Sequence, residues 1–85
     1  RKKAILLAEI EKHNDTVRAA QAQILRAQSE MGVKAAELDA KVIKVSDGRR
    51  AEVLGVYQNR INQFTQTVNQ TQAKIREIQR QIAQL

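Results

Sequence analysis

The side chains that could do chemistry in this chain are few and stand apart. His13 is the only histidine and there is no cysteine, so a zinc ligand set cannot be assembled. Gly32, Gly48 and Gly55 are scattered and follow no strand, so they form no phosphate-cradling loop. Catalysis needs polar groups that converge in a water-excluded pocket, and His13, read as a flanking surface position, has no second histidine and no cysteine to work with. The expectation is a chain with no catalytic residue, no metal and no cofactor.

The elements that would have to position a site point the same way. Tyr57 and Phe64 are the only aromatics in 85 residues, and Trp, Cys and Pro are absent. A compact core of this size would be marginal and would lean on aromatics for buried area. Ala, Ile, Leu and Val recur instead at regular spacing among Gln, Lys, Arg and Glu, the composition of long helices. The longest apolar run, Ala4 to Ala8, is far short of the roughly 20 residues that span a bilayer, so no membrane span is expected in this segment. Arg1-Lys2-Lys3 precedes this run, but Glu9 and Glu11 follow it at once and no small-residue cleavage site appears, so the segment reads as helix, not as a targeting signal. The missing initiator Met suggests a fragment of a longer protein, and the lack of cysteine leaves the compartment open.

The second half carries a clear heptad pattern. Leu54, Ile61, Val68, Ile75 and Ile82 recur every seventh residue, as do Tyr57, Phe64, Thr71, Ile78 and Leu85. A sustained a/d series of this kind argues for a coiled coil. In the first half Ile10, Val17, Ile24, Met31, Leu38 and Val45 form one series. Leu7, Asn14, Gln21, Gln28, Ala35 and Val42 are taken as its companion, with three amides in the middle.

One continuous helix would be about 128 Å long. The two patterns are out of phase by two residues, which neither a stutter nor a stammer repairs. The phase is lost at Ser46-Asp47-Gly48, where Gly can end a helix in the left-handed conformation and Ser or Asp can cap the next. The reading is therefore all-α: a two-helix antiparallel coiled-coil hairpin, helix about 3–45, turn 46–48, helix about 49–85. A turn centred on Ser46 sets Leu7 against Leu85, Ile10 against Ile82, Gln21 against Thr71 and Ala35 against Tyr57. Gln21 and Thr71 would then form a polar layer that penalises slipped registers. The same register brings Lys34 near Arg60, a like-charge pair.

Three surfaces remain. Between Val53 and Ala73, helix 2 outside its seam carries one charge, Arg60, and is otherwise largely Gln, Asn and Thr, a neutral face. Helix 1 carries Ala8, Ala19, Ala22, Ala36 and Ala40 away from the seam, with Ala20 and Ala27 flanking it. Small residues let a neighbouring helix approach, so this face offers a route to homo-oligomers, including a four-helix bundle. Near the turn, Val33, Ile43, Val53 and Val56 lie off the seam beside Lys41, Lys44, Arg49 and Arg50. Apolar residues ringed by cations suit an acidic, partly apolar protein partner.

Net charge is +6, which raises nucleic acid as a ligand. The Lys and Arg are dispersed, and no stacking aromatics accompany them, so a basic helical nucleic-acid-binding protein is the second reading. The first is a non-catalytic structural or protein-interaction module. It would act as a stalk or docking hairpin in a larger assembly such as a secretion, transport or receptor-binding system.

Overall fold

A computed structural model describes residues 1–41 and 44–85. It is all-helical: α1 spans Lys2–Asp39 and α2 spans Asp47–Ala83. The two pack along their length as a hairpin measuring 65 × 17 × 12 Å.

The reversal comes earlier than the residue types imply. Helix α1 ends at Asp39, not near residue 45. Ala40 closes it in right-handed geometry, with its N–H donating to the Ala36 carbonyl. The sequence beyond, Lys41-Val42-Ile43-Lys44-Val45, is dominated by β-branched residues that lose side-chain freedom in a helix. Ser46 is the start of the next element, not the centre of a turn. Its backbone is extended (φ −61°, ψ 153°), and its Oγ accepts the Arg49 N–H at 3.2 Å. Asp47 adds a negative charge in the first turn, where the helix dipole favours it. Gly48 lies inside α2, and no described residue has a positive φ. The left-handed glycine expected at the bend is therefore not used.

The buried stripe of α2 is the predicted one. Leu54, Tyr57, Ile61, Phe64, Val68, Thr71, Ile75, Ile78 and Ile82 are buried or half-buried, while the expected last member, Leu85, is 64% exposed. Helix α1 is different. The series Ile10, Val17, Ile24, Met31 and Leu38 does face inward. Its partner series is Leu6, His13, Ala20, Ala27 and Lys34, one residue earlier than expected. Leu7, Gln21 and Gln28 are exposed, while Asn14 and Ala35 lie half-buried at the edge.

The reason is the cost of burying amides. Both companion series stand three or four residues from the Ile10 series, so spacing alone does not choose between them. Choosing the later one buries three amides, each costing about 1–3 kcal/mol if unpaired. Choosing the earlier one buries Ala20 and Ala27, leaves Gln21 and Gln28 in water and keeps Asn14 half-buried at the edge. His13 and Lys34 can lay their carbon framework along the stripe and keep their polar ends wet.

The two stripes now run in phase, with their steps of three and four residues matching from end to end. That sets Leu6 opposite Ile82, Val17 opposite Thr71, Ala20 opposite Val68 and Ala27 opposite Ile61. Val17, Ala20 and Val68 form the buried cluster, with Ile24, Phe64 and Ile75 packed against it. Two ion pairs between the helices fit the same register: Arg50 reaches Asp39 at 3.3 Å and Arg60 reaches Glu30 at 3.5 Å. Thr71 is thus a buried residue without Gln21 as its partner. The Gln21–Thr71 layer does not form, and Arg60, expected near Lys34, pairs with Glu30. Lys34 pairs within its own helix with Glu37 at 3.5 Å.

Candidate interaction surfaces

The ends of α1 and α2 carry the residues singled out near the bend. Val33 and Val56 are 59% and 58% exposed, large values for aliphatic side chains. Val53 is half-buried beneath them. Lys41 and Lys44 are exposed. Arg49 is exposed and held by Glu52 at 3.0 Å, and Arg50 is half-buried and held by Asp39. Ile43, the remaining member, lies outside the described residues.

Tyr57 organises this region, and its role there was hidden by its place in the α2 stripe. Tyr57 is half-buried, and two shallow hollows meet on it. One is lined by Val53, Val56, Arg60 and the Arg49–Glu52 pair. The other is lined by Ser29, Val33, Lys34 and Glu37, with Glu30 common to both. The Arg60 guanidinium carbon stands 5.9 Å from the centre of the Tyr57 ring, close enough for a cation–π contact. Arg60 also binds Glu30, so the aromatic is held by a cation that is itself held by an acid.

The rim is therefore of mixed charge. Glu30, Glu37 and Glu52 sit among Lys34, Arg49 and Arg60, and each of these cations pairs with an acid. Of the four cations singled out near the bend, Arg49 and Arg50 are held by acids, while Lys41 and Lys44 are exposed. The amphipathic character that an ordered partner would read is concentrated in Val33, Val56 and the exposed part of Tyr57.

The polar positions of the stripes complete the inventory. His13 is half-buried opposite Ile75, not on a free flank. No group of three or more His, Asp or Glu is gathered among the described residues, and no described helix is long and apolar enough to cross a membrane. Compared with known protein families, curated proteins and solved structures, the chain matches none.

Proposed function

We propose that this chain is a non-catalytic coiled-coil stalk, which holds the two ends of a protein assembly apart and presents the Tyr57 region to a protein partner. The observation that carries this reading is shape. A two-helix hairpin 65 Å long and one layer deep offers partners extended faces and shallow hollows. An enclosed site would need a third wall, and the hairpin supplies two. The regular alternation of three- and four-residue steps in both stripes supports the coiled-coil assignment.

Binding to nucleic acid is the competing reading, and the ion pairs weigh against it. Arg18, Lys34, Arg49, Arg50, Arg60 and Arg80 each contact an acid of the same chain. A phosphate backbone would have to compete with those acids for the same cations.

A photo-crosslinking residue at Val56, compared with one at Gln66 on the outer shaft, tests the proposal in cells that make the protein. Protein adducts concentrated at Val56 support it. Nucleic-acid adducts, together with micromolar nucleic-acid binding that survives physiological salt, would replace it with the competing reading.

A further inference from the structure

The two long edges of the hairpin differ in chemistry. One carries the contacts of Arg60 with Glu30 and with Tyr57. The other is edged by the residues that follow the buried positions by one. On α1 these are Gln21, Gln28 and Ala35, with Leu25 and Gly32 just outside them. On α2 they are Ala51, Gln58, Thr65 and Gln72, with Gly55, Asn62 and Asn69 outside. Gln58 donates its Nε2 to Asn62 Oδ1 at 3.0 Å along this edge, and Asn14 and Gln72 share a hollow further down it. From Ala51 to Gln72 the α2 side of it runs about 30 Å without a charged side chain. On α1, the row of Leu25 and Gly32 also holds Arg18, paired with Asp15.

We infer that this neutral edge is where a second copy of the same chain packs, turning the hairpin into a four-helix bundle. The inference rests on the interaction role proposed above and names its nearest partner. Three observations support a second copy.

The first is charge. With net charge +6, two copies repel wherever their cations meet, and on this stretch of edge the cation present, Arg18, is already paired with Asp15. Amides on both sides can bond reciprocally across a two-fold axis, since each donates and accepts.

The second is area. The chain leaves 6442 Å² accessible, whereas a compact fold of this length exposes about 5,100 Å². The excess is somewhat more than the roughly 800 Å² that each partner contributes to a standard interface.

The third is glycine. Gly32 and Gly55 interrupt two long helices on this edge, where each costs helix stability relative to alanine. A Cβ at either would meet nothing of the chain within 4 Å. Packing inside the hairpin does not call for them, but bare backbone is what a close neighbouring helix needs. Leu25, at 67% exposed the most open large apolar side chain among the described residues, stands beside them. The alanine face of helix 1 (Ala8, Ala19, Ala22, Ala36, Ala40) is a different and narrower surface, because Ala20 and Ala27 have gone into the hairpin's own core.

Sedimentation equilibrium on the 85-residue chain tests this with one substitution placed on each edge. Gln28→Lys lies on the neutral edge and Gln23→Lys on the opposite one. Both are exposed, add the same charge and exchange residues of equal helix propensity. The expected result is a reversible dimer whose dissociation constant rises at least about tenfold with Gln28→Lys and stays unchanged with Gln23→Lys. Gly55→Ala should raise the melting point of dilute protein while loosening the dimer. A chain that is monomeric throughout the micromolar range, or a dimer that the two lysines weaken equally or not at all, overturns the inference. Either result leaves the Val56 crosslinking test of the interaction role untouched.

Discussion

Ala27 is 1% exposed, and the register of the two stripes sets it opposite Ile61. Its neighbour Gln28 points to solvent. The pair gives a direct test of which companion series is buried. Ala27→Leu overpacks the interface and should lower stability by about 1–3 kcal/mol in a urea titration. Gln28→Leu in dilute solution should change it by less than about 0.5 kcal/mol, as for any exposed site. Were the later series the buried one, Gln28→Leu would fill the stripe and stabilise strongly. His13 is the other residue that burial redefines. His13→Leu replaces a half-buried imidazole facing Ile75 and should stabilise the hairpin by about 1 kcal/mol.

Helix α2 is locally well specified, because cap, charge and stripe agree. Ser46 caps it, Asp47 favours its dipole, and Arg80 sits in its last turn, where cations are favoured. Ser46→Ala removes the acceptor for the Arg49 N–H and should cost about 1 kcal/mol, seen as a lower thermal midpoint. Helix α1 is less well marked at both ends. Arg1 makes no side-chain cap, and no basic residue lies in the last turn. Its terminus is set instead by the β-branched run after Ala40 and by the tie between Asp39 and Arg50 across the bend.

At the scale of the whole molecule, a rod of two helices owes its stability to one narrow apolar stripe. The six ion pairs among the described residues are all on the surface. Exposed pairs of this kind contribute about 0–1 kcal/mol each. Glu30→Gln should therefore cost less than about 1 kcal/mol, and added salt should shift the urea midpoint little. X-ray scattering checks the architecture itself. At concentrations where the chain is monomeric, the hairpin should show a longest dimension near its 65 Å extent. A single continuous helix would give about 128 Å.

Two helices, their antiparallel return and the buried face of α2 could all be read from residue order. Each is written in a short-range pattern: heptads of Leu, Ile and Val, and a phase break beside a capping serine. The same break misled about the exact bend, because Asp47-Gly48 is turn-like chemistry that α2 absorbs into its first turn. The buried face of α1 could not be read, since its apolar series has two companions at helical distance and local spacing scores them alike. Only the packed pair discriminates. There the amides Gln21 and Gln28 would have to surrender water, while Ala20 and Ala27 surrender almost nothing. That difference in desolvation belongs to the contact between the helices and to neither helix alone, and it also created the neutral edge.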